Sequence, residues 1–399
     1  PEVRMRKLIL AVTLGGLILM GAQNASAEEK SSLPTVDVQE VSGLLDEIQA
    51  QAMEDALDRS SSEGSQALVF QMNTRGSTLS RDRVTALLER VAAAKVPVAI
   101  WVGPSGSRLY GLAAQLLAAA DVTAMAPGTR IGNMGTPLDA KGVTFDFGKS
   151  TEILQGNTLG FADARKTGAL KFSGSDEGVP VMKNMIFALD GLSINGKVLD
   201  TVTEKIAADG QIEREATTAR FFKLGLTPGL FHTVSSPPST YLFLTIGLAL
   251  LIFEFFTAGV GIGAFVGSVC LVLGTLGMGA LPMSGFGLTL LILSMIAFAI
   301  DVQVGVPRLW TGLGLVAYIG ASFTMFRSVD GLTMRPGWLS LLVCIVGVAL
   351  TFIVGMPSMV RTRFATPTIG RDNLVGTTGV AVGDVNPEGI VLVDGAQWR

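Results

Sequence analysis

The chain has 399 residues, of which 49% are hydrophobic, and its mean hydropathy of +0.50 is high for a wholly soluble protein. The length fits two or three domains, and a net charge of −3 with only three tyrosines argues against a nucleic-acid-binding protein. One histidine and two cysteines provide no metal-ligand spacing and no disulfide framework, so the sequence predicts neither a metal site nor a cofactor.

The N-terminal residues have the pattern of a secretory signal peptide. A basic stretch precedes the apolar run from Leu8 to Met20, and Ala25-Ser26-Ala27 provides a small-x-small cleavage site. Residues 1–27 are therefore predicted to be a signal peptide, with an uncleaved membrane anchor as the alternative, and the residues before Met5 fit an upstream extension. This places residues 28–235 outside the cytoplasm.

Residues 28–235 alternate apolar strand patterns with helical ones, which predicts an α/β domain. Predicted strands and helices follow one another as Ala67–Gln71, Arg81–Ala94, Val96–Val102, Leu109–Ala120 and Asp121–Met125. Such an order predicts a parallel sheet with right-handed crossovers. Ligand chemistry in these sheets lies at the carboxyl ends of the strands, so we expect the turns Asn73–Ser77 and Gly103–Gly111 to face each other.

The rest of this domain is less regular. Leu138–Val179 is rich in glycine, lysine, aspartate and threonine and is predicted to be an exposed insertion. Met182–Leu192 is predicted to be a helix, whereas Val198–Ile206 fits both a strand and a helix. The breaker Ser235-Ser-Pro-Pro-Ser239 is predicted to be the linker into a membrane.

Residues 239–359 carry almost no charge and are predicted to be a transmembrane domain. The candidate spans are Ser239–Phe256, Val260–Ala280, Gly287–Val304, Leu309–Phe326 and Gly337–Met356. Five spans put the C-terminus in the cytoplasm, opposite the N-terminal domain. Arginines after the last span agree with the positive-inside rule, whereas Arg327 and Arg335 on the predicted outer loop weaken it.

The membrane region also contains an internal repeat with an acidic residue in each copy. Ile252-Phe-Glu254 before a glycine-rich loop matches Ala299-Ile-Asp301 before Val304-Gly-Val-Pro307, so a two-helix hairpin is predicted to occur twice. Acidic side chains are costly inside a bilayer. We expect Glu254 and Asp301 to reach the interface or to cap the next helix, with a proton or ion route as the alternative.

The C-terminal residues change character again. Residues 366–399 alternate apolar and polar side chains, in Gly379–Gly383 and Ile390–Asp394 for example, and are predicted to be the start of a small β-domain. Thirty-odd residues of this kind are too few for a stable sheet core, so the domain is expected to be incomplete.

The order of these parts resembles the long form of the NfeD membrane proteins. The resemblance covers most of the chain from about Thr35 onward and is carried by Val96–Arg108, Ala124–Thr129, Phe253-Glu254 with Gly259–Gly261, and Val385–Gly389 with Asp394-Gly395 and Trp398. It implies an α/β extracytoplasmic domain of the ClpP/crotonase type, a helical membrane domain of about five helices, and a partial all-β OB-like domain.

Members of that family have a serine–lysine dyad, in which a lysine takes the serine proton and glycine amides hold the oxyanion. The resemblance places the oxyanion turn at Gly76 and Ser77, so serine replaces the second glycine. It places the base at Lys183 and the nucleophile at Gly111. The base position is therefore retained, whereas the nucleophile position has no side chain.

Other nucleophiles remain open. Ser105 and Ser107 lie in the same turn as the nucleophile position, and Ser77 is a weaker candidate. A triad built on His232 is disfavoured, because that histidine adjoins the linker into the membrane and is interpreted as an interfacial polar residue.

The favoured function is a scaffold in the plasma membrane whose protease-like domain is a pseudoenzyme. The resemblance implies a stomatin/prohibitin-type (SPFH) membrane protein as partner, together with contact to membrane lipids and the self-association that a ClpP-type fold favours. The alternative is an active membrane-bound serine endopeptidase that uses Ser105 or Ser107. A transporter that depends on Glu254 or Asp301 is a third possibility.

Overall fold

The computed structural model describes residues 35–172, 178–206, 212–257, 261–304, 308–329, 334–359 and 374–399. An α/β domain is followed by a helical membrane domain and then by a small sheet, as the sequence predicted for the first two parts. The predicted signal peptide, residues 1–27, lies outside the described residues, and so do residues 366–373 of the predicted β-domain. Both stay predictions.

The main sheet of the α/β domain has eight strands. They are β1 (Val36–Leu45), β2 (Ala67–Ser77), β3 (Val98–Val102), β4 (Arg108–Tyr110), β5 (Val122–Met125), β6 (Arg130–Gly132), β7 (Thr158–Gly160) and β12 (Ala219–Phe222). Shorter hairpins are formed by β8 (Ser193–Ile194) with β9 (Lys197–Val198), and by β10 (Val202–Ile206) with β11 (Ile212–Ala216).

Strand β2 is long enough to pair with two strands on the same side. Its first half pairs with β3, which continues to β5, and its second half pairs with β4 at Thr74 and Leu109. From β4 the second branch continues to β6 and β7. All pairs in the sheet are parallel except β6–β7, so the crossover architecture predicted from the sequence is confirmed.

Seven helices cover this sheet or follow it. They are α1 (Glu47–Glu63), α2 (Arg81–Ala92), α3 (Leu116–Ala119), α4 (Thr151–Gly156), α5 (Phe161–Lys166), α6 (Met182–Leu189) and α7 (Leu226–Val234). Asp46 caps the start of α1 by accepting from Gln49 N at 2.9 Å, and Gly64 ends it in the left-handed region at φ 72°. Ser80 caps α2 in the same way.

The core of the α/β domain lies on both faces of the sheet. One cluster packs α1 and α2 against side chains such as Leu68, Phe70 and Ile100, and the other packs α6 against Val69 and Trp101. Burial on both faces explains why β3 consists of the uninterrupted apolar run Val98–Val102.

A buried carboxylate holds edge strand β12 against β1. Asp37 is fully buried and accepts from Arg220 Nε at 2.7 Å and from the hydroxyls of Ser60 and Ser65 at 2.7 and 2.9 Å. A charge taken out of water needs such partners. This pair fixes the strand that leads into α7 and then into the membrane domain.

The membrane domain has the five predicted helices. They are α8 (Pro237–Thr257), α9 (Ile262–Ala280), α10 (Gly285–Val304), α11 (Leu309–Thr324) and α12 (Trp338–Leu350), which continues through a π-helical turn, Thr351–Gly355, to Met359. Four of them are long and apolar enough to cross a bilayer. Helix α11 is shorter, with 16 residues, and its length of about 24 Å is less than that of a typical hydrocarbon core.

The helices of this domain form two hairpins joined by polar and aromatic contacts. Tyr241 of α8 donates to Tyr318 of α11 at 2.8 Å, and both side chains are fully buried. Phe298 of α10 stacks on Phe352 of the π-helical turn with ring centroids 4.3 Å apart. The two hairpins and α12 therefore share one core.

The C-terminal residues form a sheet of three short strands, β13 (Val380–Ala381), β14 (Val391–Val393) and β15 (Ala396–Trp398). Val380 is 72% exposed and Leu392 41%, so this sheet buries little apolar surface. The OB-like domain of residues 366–399 stays a prediction.

Three local predictions were wrong. Asn73–Ser77 is not a turn but the end of β2, because β4 pairs beside it at Thr74. Leu109–Ala120 is not one helix: its first residues join the sheet as β4, and a 3-10 turn, Gly111–Gln115, precedes α3. Leu138–Val179 is not a wholly exposed insertion, since it contains α4, β7 and α5 and buries Phe147 and Leu154.

Candidate active site

The loop between β3 and β4 forms the centre of the candidate site. Gly103 opens it where a Cβ would lie 2.3 Å from the indole ring of Trp101, so only glycine fits there. Arg108 Nη1 closes it by donating to the carbonyls of Gly106, Ser107 and Gly128 at 2.9, 3.0 and 3.0 Å. The contact with Gly128 holds this loop against the turn that follows β5, whereas those with Gly106 and Ser107 lie within the loop itself.

The end of β2 lies directly beside this loop, as the sequence predicted for the two carboxyl ends. Asn73 Oδ1 accepts from Arg108 N at 3.1 Å, and Thr74 pairs with Leu109. The segments that the resemblance assigns to the oxyanion turn and to the nucleophile are therefore neighbours.

Gly111 occupies the predicted nucleophile position. It follows β4 directly, opens the 3-10 turn, is buried, and has φ 68°. This left-handed conformation suits glycine, whereas a side chain there is strained by roughly 1 kcal/mol or more. The backbone bend is present at this point, but no atom projects from it that could attack a substrate.

Ser105 and Ser107 differ in how their hydroxyls are placed. Ser105 is exposed, and its hydroxyl donates to the carbonyl of Pro127 in the turn after β5. Ser107 is only 3% exposed, and its backbone N–H donates to Pro104 O at 3.0 Å. Ser105 is therefore open to a substrate but anchored to a carbonyl, whereas Ser107 faces the interior.

Gly76 and Ser77 end β2 at the predicted oxyanion turn. The Ser77 hydroxyl is buried, donates to Leu45 O at 3.0 Å, and accepts from Leu79 N at 3.1 Å. Thr74 Oγ1 donates to Gly76 O at 2.9 Å. The Ser77 side chain stabilises the junction of β1 with the start of α2, and its role in an oxyanion site stays a prediction.

Lys183 lies in the first turn of α6, as expected of the base position. The start of α6 is held near the carboxyl end of β5, because Val179 N donates to Met125 O at 3.0 Å and Trp101 Nε1 donates to Val179 O at 2.8 Å. The Lys183 side chain is exposed, and its ammonium lies 5.7 Å from the centroid of the Phe187 ring. Among the described residues it has no hydrogen bond or ion pair to a serine.

A second lysine, which the sequence analysis missed, is the more buried of the two. Lys171 Nζ donates to Ala118 O at 3.1 Å and also to Ala120 O. Burial lowers the pKa of Lys171, although the nearby charge of Asp121 opposes the shift. Ala120 precedes β5, so this lysine lies at the opposite end of that strand from the candidate site and caps the end of α3.

The structure also brings His232 to Asp46, a pair that the sequence analysis did not predict. His232 Nδ1 lies 2.6 Å from Asp46 Oδ2, and its Nε2 lies 2.9 Å from the carbonyl of Ser42. The interpretation of His232 as an interfacial polar residue stays a prediction, to which the structure adds this pairing. Nδ1 faces the Asp46 carboxylate, and Nε2 faces the Ser42 carbonyl with Gln49 Nε2 3.4 Å away, so no hydroxyl is among the partners of the ring in the residues described.

The electrostatics of His232 follow from these contacts. Burial disfavours its charge, but the hydrogen bond and the charge of Asp46, with help from the Ser42 carbonyl, raise the pKa of His232 above its ordinary value. The protonated ring can donate to Asp46 and to Ser42 at once. This pair joins α7 to the start of α1.

The two membrane acids are placed differently. Glu254 accepts from Gly261 N at 2.6 Å and from Gly263 N at 3.2 Å, so it caps the start of α9 as expected. Asp301 is 8% exposed and accepts from Thr311 Oγ1 at 2.6 Å, whereas its Oδ1 is buried with no partner among the described residues. Asp301 thus bonds a side chain in the first turn of the next helix, and its position relative to the interface stays a prediction.

Residues 239–356 match the family model of the NfeD integral membrane domain. The chain contains an NfeD membrane domain. The match begins two residues after the start of α8 and ends within the last turn of the span that begins at Trp338, so it covers both hairpins and α12. The predicted NfeD resemblance is thereby confirmed.

The NfeD domain is joined here to an α/β domain, and one relative matches both. The chain is 24% identical over 360 residues to the membrane-bound protease PH1510 of Pyrococcus horikoshii, which covers 84% of this chain and 80% of the relative. The aligned length exceeds the NfeD domain threefold, so the likeness includes much of the α/β domain.

Solved structures similar to this chain are also proteases by name. A mutant of the 1510-N membrane-bound stomatin-specific protease in complex with a substrate peptide is 15% identical, with a TM-score of 0.39, and covers 51% of this chain and 98% of its own. The 1510-N membrane protease specific for a stomatin homologue from Pyrococcus horikoshii is 17% identical, with a TM-score of 0.38, and covers 51% of this chain and 99% of its own.

Proposed function

We propose that this NfeD-domain protein is a membrane-anchored accessory protein whose α/β domain has lost peptidase activity and binds a stomatin- or prohibitin-type membrane protein. The observation that carries the proposal is Gly111. It occupies the bend after β4 in a left-handed conformation, and the sequence resemblance assigns the nucleophilic serine of the family motif to this position. Acyl transfer needs an oxygen or sulfur atom at that point.

The hydroxyls around Gly111 support the same proposal. The hydroxyl of Ser77 is already hydrogen-bonded to Leu45 O and Leu79 N, and Ser107 is buried. Lys183, at the predicted base position, is exposed, and its ammonium lies 5.7 Å from the centroid of the Phe187 ring rather than against a serine hydroxyl. A Ser–Lys dyad requires a hydroxyl and a lysine within hydrogen-bond reach of each other.

The partner follows from the relatives rather than from the geometry. The similar solved proteases are specific for a stomatin homologue by name. Loss of a nucleophile need not disturb the strands and turns around Gly111, because they are held by backbone pairing. A domain of this kind can therefore bind the same class of protein without cleaving it.

Serine reactivity tests the loss of activity. The full-length protein in detergent is treated with a fluorophosphonate probe, beside Ser105→Ala, Ser107→Ala and a control, Ser62→Ala, whose exposed hydroxyl bonds to Arg59 O within α1. We expect no specific labelling of any of them. Labelling that Ser105→Ala or Ser107→Ala abolishes and Ser62→Ala retains would show an active peptidase instead.

The reverse substitution tests the assignment of the nucleophile position. Gly111→Ser restores the hydroxyl at a strained conformation, at a cost of roughly 1 kcal/mol in stability. We expect it to gain labelling only if Lys183 can approach the new hydroxyl, and Gly111→Ser with Lys183→Ala is its matched control. Labelling of Gly111→Ser that this control loses supports the assignment.

An active peptidase that uses Ser105 is the alternative, and one observation favours it. Ser105 is exposed at the same edge of the sheet as the start of α6, so a substrate could reach it. Its hydroxyl would first have to leave the Pro127 carbonyl. The probe experiment with Ser105→Ala separates this alternative from the accessory function.

Partner binding is tested independently of reactivity. The full-length protein is co-expressed with a stomatin-type protein of the same organism, and the two are co-purified through a tag on this chain. We expect co-purification without shortening of the partner. Failure to co-purify would reject the partner while leaving the probe result intact.

We also propose that the α/β domain lies outside the cytoplasm and that the C-terminus lies inside, in a plasma membrane. Five membrane helices, with the short α11 counted as a span beside the four longer ones, support opposite sides for the two ends. Cysteines placed at Val198 and at Val382, both exposed, are expected to react with an impermeant maleimide in intact cells only at Val198. Equal reactivity of the two would contradict this topology.

A further inference from the structure

Helix α7 carries different surfaces on its opposite sides. Leu226, Leu230 and Val234 are spaced four residues apart and fall within about 80° of one another around the helix. His232 lies about 160° from Leu230, on the far side. We name the first surface, Leu226 with Leu230 and Val234, the leucine stripe.

The far side of α7 is fixed to the α/β domain. His232 contacts Asp46 Oδ2 at 2.6 Å and the Ser42 carbonyl at 2.9 Å. Gly43 lies against the same ring, since a Cβ there would be 2.7 Å from Nε2 of His232. These contacts orient α7, so the leucine stripe points away from the α/β domain.

One end of the leucine stripe lies on the membrane domain. Val234 is 2% exposed, and its carbonyl accepts from Thr240 Oγ1 of α8 at 3.0 Å. The same carbonyl approaches α9, because a Cβ at Gly277 would lie 2.8 Å from it. Only two residues separate α7 from α8, so α7 lies at the end of the transmembrane bundle.

The other end of the stripe is uncovered. Exposure rises from 2% at Val234 to 57% at Leu230 and 94% at Leu226. The stripe thus leaves the membrane bundle and continues beyond it as bare apolar surface.

We propose that α7 is an interfacial helix whose leucine stripe is buried in the lipid at the surface of the bilayer. The bilayer is the occupant because the stripe is continuous with Val234, which already packs on the ends of α8 and α9 where these helices meet the interface. An apolar helix face that lies in the interface plane binds by this burial, with added attraction from basic side chains. The α/β domain is then held close to the membrane surface through His232.

The experiment measures the depth of single side chains in a bilayer. In the full-length protein, Cys270→Ala and Cys344→Ala remove the native thiols, and Leu226→Cys or Leu230→Cys carries a nitroxide label. The control is Val198→Cys, an apolar position that is 64% exposed on β9. Each variant is reconstituted in vesicles of phosphatidylcholine and phosphatidylglycerol, and its accessibility to oxygen and to a water-soluble nickel chelate is compared.

At positions 226 and 230 we expect the label to be more accessible to oxygen than to the nickel chelate. At position 198 we expect it to be more accessible to the nickel chelate. Access to the nickel chelate at 226 and 230 as high as at 198 would place the stripe in water and overturn the proposal. Shielding from both reagents would mean that a second copy of the chain covers the stripe, which also overturns it. If labelled variants fail to fold, Leu226→Trp at the most exposed position gives a second readout, because brominated lipids should quench the emission it adds to the parent protein.

Discussion

The two hairpins of the membrane domain start from the same sequence signature and use it differently. In the first, α8 and α9, both oxygens of Glu254 accept backbone N–H groups of the next helix, from Gly261 and Gly263. In the second, α10 and α11, Asp301 is one methylene shorter and bonds a side chain, Thr311, with one oxygen only. A repeat in sequence therefore predicts the hairpin but not the role of its acid.

Helix packing differs in the same way. The first hairpin is closed by glycines that face backbone, and a Cβ at Gly267 would lie 3.0 Å from Gly247 O. The second is closed by an aromatic ring against a glycine, with a Cβ at Gly314 2.9 Å from the Phe298 ring. Close backbone approach stabilises helix pairs in membranes, where no hydrophobic force draws them together.

The largest loss of stability is expected when Gly287 of the second hairpin is substituted. A Cβ there would lie 2.5 Å from Met325 Cα, so Gly287→Ala forces two helices apart and should cost about 3 kcal/mol. Gly312→Ala is the matched control, because no atom lies within 4 Å of its Cβ position. The stability of both variants is measured by denaturation in detergent with increasing SDS. Equal stability of the two variants would contradict this packing.

The next effect concerns the contact between the hairpins. Tyr318 OH lies 2.8 Å from Tyr241 OH and 3.1 Å from Thr245 Oγ1, so Tyr318→Phe removes a bond from α11 to each of two residues of α8. A loss of about 1 kcal/mol is expected in the same denaturation assay. Thr289→Val, which removes only an exposed hydroxyl bonded within α10, should change nothing measurable.

The acids themselves should respond with opposite signs. Glu254→Gln replaces one of two acceptor oxygens by a donor and leaves an N–H of the next helix unpaired, at a cost of about 1 kcal/mol. Asp301→Asn keeps an acceptor for Thr311 and removes a buried carboxyl with an unpartnered oxygen, so stability should stay the same or rise by up to about 1 kcal/mol. A loss at Asp301→Asn larger than that at Glu254→Gln would reverse the comparison and favour an ion or proton site at Asp301.

The smallest effect on stability is expected outside the membrane, where α7 joins the α/β domain to α8. Because the pKa of His232 is raised in the folded state, its contribution to stability is complete below the ordinary histidine pKa of about 6.5 and is lost as pH rises through the raised value. The thermal stability of the α/β domain should therefore fall on going from slightly acidic to alkaline pH. His232→Gln should remove this part of the pH dependence, and an unchanged profile would refute the role of His232.

Much of the fold could be predicted from local patterns. The apolar runs gave all five membrane helices, and alternation of strands and helices gave the parallel sheet. Predictions failed where strand pairing decides the structure. Strand β4 forms because β2 and β6 flank it, and a segment of three residues such as Arg108–Tyr110 is too short to show a periodic pattern in the sequence.

The candidate site was predicted only in outline. The motif placed Gly111 beside the end of β2, and the backbone is arranged in that way. It could not show that Ser77 bonds to Leu45, that Ser105 is tied to Pro127, or that Lys183 is exposed, because these facts depend on neighbours from other segments.

What the sequence alone determined is where the chain is apolar for long enough to enter a bilayer, where it alternates as an α/β domain, and that a glycine, Gly111, stands at the position predicted for the nucleophile. Only the tertiary structure decided which polar groups are satisfied: His232 contacts Asp46 across 186 positions, whereas Oδ1 of Asp301 has no partner in the part of the chain that the structure describes. The physical reason is that hydropathy and periodicity are properties of neighbours along the chain. Hydrogen bonding of buried groups is a property of neighbours in space.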